Sequence, residues 1–373
     1  MKNIDRYRGC LIGGAAGDAL GYAVEFLKES DIFKKYGEKG ITEYSLINGV
    51  AQISDDTQMT LFTANALLLA TTRSMTRGVI GDYLAHISIC YKDWLYTQCE
   101  PFPLNKEDTK SWLVNIPEMF ARRAPGYTCI SAIQNGANGR IEKPQNSSKG
   151  CGGIMRVAPI GLYFDDELNS ASEIDRLGAE AAALTHGHEL GYIPAAALVH
   201  IIQILAHKND VKILDAVLDM KKAISAEFPN AKHLFELIAL IDKAIALANK
   251  DVDDVEAISE LGQGWVAEET LAIAIYCVLK YPNDFDKAII ASVNHSGDSD
   301  STGAVTGNIL GAYLGLSKIP DKYLKNLELK NVILELADDL FNDCQISCYG
   351  YDDKVWVQKY LPDRYSPKYS PKK

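Results

Sequence analysis

The sequence predicts an all-α fold, a compact multi-helix bundle built in orthogonal layers. Three observations carry that expectation. Apolar residues recur at helical spacing in segments of about 12 to 18 residues, joined by short loops. Strand-like alternation flanked by hairpin turns is nearly absent. Two glycine-lined helices lie at opposite ends of the chain, a composition that makes sense where one backbone packs closely on another. Residues 1–349 read as one domain and residues 350–373 as a surface tail carrying Tyr-Ser-Pro-Lys twice.

The first helix spans residues 5–22, DRYRGCLIGGAAGDALGY. Gly9, Gly13, Gly14, Gly17 and Gly21 line it, each costing roughly 0.8–1 kcal/mol of helix propensity relative to Ala. Close packing on the second glycine-rich helix would offset that cost. Asp18 sits inside this apolar stretch and either caps a kink or faces a polar centre. Glu25 follows Tyr22-Ala23-Val24. Burial there would raise its pKa into the range of acid–base work, although an exposed Glu at a helix end is commoner.

Residues 28–53 read as an irregular connection with turns at Gly37, Gly40 and Gly49. Ser54-Asp55-Asp56-Thr57 then opens an apolar helix over residues 57–70. A helix start needs one cap, and adjacent carboxylates repel, so this pair exceeds capping. A further helix is expected over residues 80–97, then polar chain over 100–117 and a long loop over 125–153. A loop of that length in a compact domain is functional or disordered. It ends in Gly150, Gly152 and Gly153, just before Ile154-Met155-Arg156-Val157. Bare amides at a helix start can cradle phosphate. A flexible hinge is the plainer reading of the pattern, and neither Walker A nor Rossmann spacing fits.

An Ala-rich helix over residues 172–186 ends in Leu184-Thr185-His186-Gly187-His188. Two residues apart, His186 and His188 do not share a helix face as zinc ligands would. His186 either answers the helix dipole or meets a substrate from the helix end. Helices follow over 193–206, 213–228, 231–248, 252–261, 268–280, 284–293 and 331–342. Between the last two lies VNHSGDSDSTGAVTGNILGAYLG, residues 293–315. Asp298, Ser299, Asp300, Ser301 and Thr302 crowd its helix mouth, and oxygen-rich side chains there can hold a hard cation such as Mg²⁺. If the two acidic mouths meet, their four carboxylates suit a pair of divalent cations.

A net charge of -11 over 373 residues argues against nucleic acid or an anionic membrane as partner. The eight cysteines show no CxxC spacing, and Cys344 and Cys348 stand one helical turn apart. With no secretory signal and no apolar run judged long enough to span a bilayer, the expectation is a cytoplasmic, monomeric protein with reduced thiols.

Five stretches, taken in order, resemble the ADP-ribosylglycohydrolase family: GCLIGGAAGDALGYAVEF (9–26), SDDTQMTL (54–61), KGCGGIMRVAPIGL (149–162), LTHGHELGY (184–192) and HSGDSDSTGAVTGNILGAYLG (295–315). The resemblance implies an all-α fold with a metal-containing cleft holding two divalent cations, Mg²⁺ or Mn²⁺. By motif position the metal ligands would be Ser54, Asp55, Asp56, Asp298, Asp300 and Ser301. The loop from Gly150 through Cys151, Gly152 and Gly153 to Met155 would hold diphosphate and adenosine, and His186 would approach ribose or phosphate. Lys149 and Cys151 stand where certain relatives carry an aromatic and an Asn, and Lys149 can offer a charge to the diphosphate instead. Ser54 and Ser301 stand where relatives carry Thr, which keeps the hydroxyl.

The implied activity is hydrolysis of the N- or O-glycosidic bond between ADP-ribose and an acceptor of arginine or serine type. The substrate would be an ADP-ribosylated protein or a small ADP-ribosyl conjugate. Asp56 or Glu25 is the expected general base, Glu25 falling where some members carry a catalytic glutamate. A two-metal nucleotide phosphohydrolase and a non-catalytic ADP-ribose-binding relative are the alternatives.

Overall fold

The computed structural model describes residues 2–78, 81–106, 108–165, 169–346 and 353–361. Cys348, the helix start expected at residue 80 and the Tyr-Ser-Pro-Lys repeats lie outside them. Helices dominate, and among the described residues pairing outside helices is confined to isolated β-bridges. In order they are α1 (Ile4–Tyr22), α2 (Glu29–Tyr36), α3 (Asp55–Arg77), α4 (Tyr83–Cys99), α5 (Tyr127–Gln134), α6 (Ala158–Tyr163), α7 (Ala171–Ala183), α8 (Glu189–His207) and α9 (Ile213–Glu227). Then follow α10 (Leu234–Ala248), α11 (Asp254–Leu261), α12 (Ala267–Lys280), α13 (Phe285–Val293), α14 (Ser299–Leu314), α15 (Asp321–Leu324), α16 (Lys330–Asn342) and α17 (Lys354–Tyr360).

The glycine-lined helices do cross closely. α1 and α14 run antiparallel, with Gly9 against Gly311, Gly13 against Gly307, Gly17 against Gly303 and Gly21 against the Ser299 carbonyl. A Cβ added at any of these glycines would fall within 3.0 Å of backbone in the other helix. Asn308 seals the seam by donating Nδ2 to the Cys10 carbonyl at 2.9 Å. This contact brings the end of α1 beside the acidic mouth of α14.

α8 and α12 are apolar around nearly their whole circumference and fill the centre of the core. At 19 residues and a mean hydropathy of 1.5, α8 is longer and more apolar than the sequence reading allowed, and in length and composition it could cross a membrane. Instead 94% of its 18-residue apolar stretch is buried inside the protein.

Four local expectations are revised. Residues 28–53 contain α2, which buries only Ile32 and so leaves no periodic pattern to read. The long loop contains α5, whose buried Cys129, Ala132 and Ile133 have helical spacing over too short a window to stand out. The glycine loop does not open an α-helix: Cys151–Gly153 form one 3₁₀ turn, and α6 begins only at Ala158, where Pro159 suits the first helical turn. Nor is residues 350–373 wholly a surface tail. In α17, Val357 and Tyr360 are buried, and Tyr360 donates to Asp339 at 2.5 Å while Trp356 donates to Thr72 at 2.8 Å.

Candidate active site

Asp18 organises the site from beneath. It is fully buried on α1 and accepts the backbone N–H of Ser54 at 2.9 Å and of Thr57 at 3.1 Å, with the Thr57 hydroxyl as a further donor. The α1 carboxylate therefore caps the start of α3, which resolves its ambiguity in the sequence. Burial raises its pKa to about 6, against the lowering effect of those hydrogen bonds. Ser54 adds its own cap, its hydroxyl accepting from the Asp56 N–H at 3.2 Å.

With α3 held there, Asp55 and Asp56 project toward the mouth of α14. Asp55 accepts the Gly126 N–H at 3.2 Å. Burial, and after it the Asp18 and Asp298 charges, push Asp55 up to about 8 despite that bond. Asp56 is also raised well above the usual carboxylate range, by burial first and then by Asp18, Asp55 and Asp298, and its Oδ2 has no partner. On α14, Asp298 caps the helix through the Ser301 N–H at 3.2 Å and accepts the Cys151 thiol at 2.8 Å. Asp300 is driven well up by burial and by Asp56 and Asp298. Glu25, one turn past the end of α1, is pushed up to about 9 by burial and by Asp298, Asp55 and Asp18, and its buried Oε2 is also unpartnered.

These carboxylates share one cleft of about 360 Å³. Gly150, Cys151, Gly152, Met155, His186 and Ser301 line it with Glu25, Asp55, Asp56, Asp298 and Asp300. The two acidic helix mouths, more than two hundred residues apart in the chain, thus meet. The glycine loop is pinned across it by Cys151 N–H to Trp265 O at 3.2 Å and Ala267 N–H to Lys149 O at 2.9 Å. Three expected site residues are not on the cleft wall. Ser54 lies behind it as a cap, Gly153 packs on Ala182 and Gly191, and Lys149 pairs with Glu268.

Residues 1–349 match the family model described as ADP-ribosylglycohydrolase. The chain belongs to the ADP-ribosylglycohydrolase family. Among its relatives, ADP-ribosylhydrolase ARH3 of Mus musculus is 25% identical over 88% of this chain and 88% of its own. ADP-ribosyl-[dinitrogen reductase] glycohydrolase of Rhodospirillum rubrum is 24% identical over 87% of this chain and 91% of its own. A solved structure titled ADP-ribosylglycohydrolase-related protein complex shares the fold, with a TM-score of 0.54 at 23% identity, covering 91% of this chain and 98% of that one.

For a member of this glycohydrolase family the donor chemistry of the cleft fits a divalent cation. Hard carboxylate oxygens crowd together, two of them buried without a partner, and none of the residues lining the cleft is Lys or Arg. The shell is not closed as the side chains stand. Among the described residues no three His, Cys, Asp or Glu groups are arranged to hold a metal ion, and Asp298 is turned onto Cys151 and Ser301.

Sequence reading missed several residues of the site. Phe26 and Trp265 stack at the cleft with ring centroids 5.5 Å apart, and Tyr127 projects there 84% exposed. Nothing in the local sequence marks Trp265 or Tyr127, and Phe26 closes the 9–26 stretch without a role assigned to it there. Arg156, behind the wall, did carry a signal as the one charge in an apolar run, and it is fully buried.

Proposed function

We propose that this protein is a divalent-metal-dependent hydrolase that cleaves the N- or O-glycosidic bond joining ADP-ribose to an arginine- or serine-type acceptor and releases ADP-ribose. The observation that carries this reading is the meeting of Asp55 and Asp56 with Asp298 and Asp300 in one cleft beside the glycine loop, in a chain of this family. Relatives named as ADP-ribosylhydrolases and as an ADP-ribosyl-[dinitrogen reductase] glycohydrolase support the substrate class.

Asp55, Asp56, Asp298 and Asp300, with the Ser301 hydroxyl, would hold two cations, Mg²⁺ or Mn²⁺, while Ser54, behind the wall, keeps its hydroxyl on the Asp56 N–H. When bound, these supply orientation of the ribose hydroxyls and an acidified water. The protein groups divide the proton transfers. Glu25 Oε2 and Asp56 Oδ2 each have an unused buried lone pair, so either takes a proton from water while the other assists protonation of the leaving atom. Positive charge developing on the ribose ring finds carboxylates around it. The loop from Gly150 to Met155 would carry diphosphate and adenosine, with His186 beside it.

The test is incubation with arginine- and serine-linked ADP-ribosyl peptides, with and without chelator. Free ADP-ribose, formed only with Mg²⁺ or Mn²⁺, is expected. AMP or inorganic phosphate as product would replace this reading with a nucleotide phosphohydrolase, and ADP-ribose binding without turnover would make the protein a binder.

A further inference from the structure

Arg156 presents an unusual problem. It is fully buried, yet no carboxylate pairs with it among the described residues. Its Nη2 donates to the Ala181 carbonyl at 3.2 Å and to Thr185 Oγ1 at 2.7 Å, and its plane lies 4.4 Å over the Tyr91 ring. Nη1 faces the sulfurs of Cys129 at 3.4 Å and Met59 at 3.6 Å, and Nε finds no acceptor. A guanidinium only donates, so Thr185 Oγ1 must accept.

The hydroxyl is left with one hydrogen to place. The Ala182 carbonyl is 3.4 Å away and already receives the N–H groups of Thr185 and His186. His186 Nδ1 is 2.8 Å away. A hydrogen turned to Ala182 would make a long bond to a carbonyl that already accepts two N–H groups, so the hydroxyl gives it to His186, which makes Nδ1 an acceptor and puts the proton of the neutral ring on Nε2. Burial and the Arg156 charge hold His186 down at about 3, so the ring stays neutral. Nε2 is on the side of the glycine loop: a Cβ added at Gly150 would lie 3.3 Å from Nε2, and one at Gly152 would lie 3.0 Å from Cε1. His186, Gly150 and Gly152 all line the cleft.

We propose that Arg156 and Thr185 are positioning residues that lock His186 as its Nε2–H tautomer, so that a neutral ring donates a hydrogen bond to a phosphate oxygen of the ligand at the glycine loop. The relay is a property of the free protein, while its ligand rests on the ADP-ribose reading above. In a cleft walled by carboxylates, a donor fixed by a buried cation behind it favours an anionic group at that place without bringing a full charge to the surface.

The test is nitrogen NMR of the full chain with labelled histidine, free of metal, with the signal assigned against His186→Ala. Wild type should show Nε2 protonated and Nδ1 bare. Thr185→Val should lose that preference and weaken ADP-ribose binding about tenfold, the loss of one charge-supported hydrogen bond. Thr185→Ser should restore both. Nδ1–H in the wild type, or an unchanged tautomer in Thr185→Val, would overturn the relay. A tautomer that behaves as stated with ADP-ribose binding untouched by Thr185→Val would overturn the donor role alone. If wild type binds no ADP-ribose, the substrate reading fails; pyrophosphate titrated in parallel then decides the donor role, upheld by weaker binding in Thr185→Val and overturned otherwise.

Discussion

Asp18 illustrates how far a single carboxylate governs this site without lining it. Its oxygens satisfy backbone donors at the start of α3, so Asp18→Ala should leave those buried N–H groups unpaired and cost about 1–3 kcal/mol. Asp18→Asn keeps an acceptor and should cost less, and denaturant melts of the two variants check the order. Asp298 differs, since Asn there preserves the cap to Ser301 but removes the charge facing Asp56 and Asp300. Asp298→Asn is therefore expected to lose Mn²⁺ binding and turnover with its helical circular dichroism intact; retained activity would refute the metal assignment. At this scale the acidic pairs were legible because adjacent carboxylates at a helix start exceed any capping need. The partner of Lys149 was not, because Glu268 lies on α12, far along the chain.

The element that holds the two acidic mouths together is the α1–α14 seam. An Ala at Gly303 or Gly311 places a methyl against the backbone of α1, and neither helix has a side chain that can yield. Each substitution should destabilise by about 1–3 kcal/mol or more. Gly303 lies three residues from Asp300, so Gly303→Ala should also weaken Mn²⁺ binding, whereas Gly311→Ala, two turns further on, should not. Thermal melts and a Mn²⁺ titration separate these outcomes. The seam could be anticipated because paired glycine stripes have few other uses. α2, α5 and the delayed start of α6 could not, since short helices with few buried residues leave too little periodicity.

For the whole molecule the consequence is a dependence of stability on pH. Asp18, Asp55 and Glu25 have folded-state pKa values raised to about 6, 8 and 9, above their ordinary values of 3.8, 3.8 and 4.5. Between about pH 4 and 9 the native state thus binds more protons than the unfolded chain, and stability falls as pH rises. With chelator present the melting temperature should drop steadily across that window. With Mn²⁺ or Mg²⁺ the trend should reverse, because cations bind the deprotonated acids. A flat profile in chelator would mean that these acids do not titrate as a buried group.

By itself the sequence determined the helical class, the glycine seam and the two acidic helix starts, because each is written in local spacing and composition. Only the tertiary structure decided that Asp18 caps α3, that Ser54, Gly153 and Lys149 stand off the cleft wall, and that Arg156 reaches Thr185 behind His186. Those facts depend on which segments far apart in the chain are packed together. Local pattern constrains a residue's own helix; the partner it meets across the core is chosen by burial and hydrogen bonding over the whole fold.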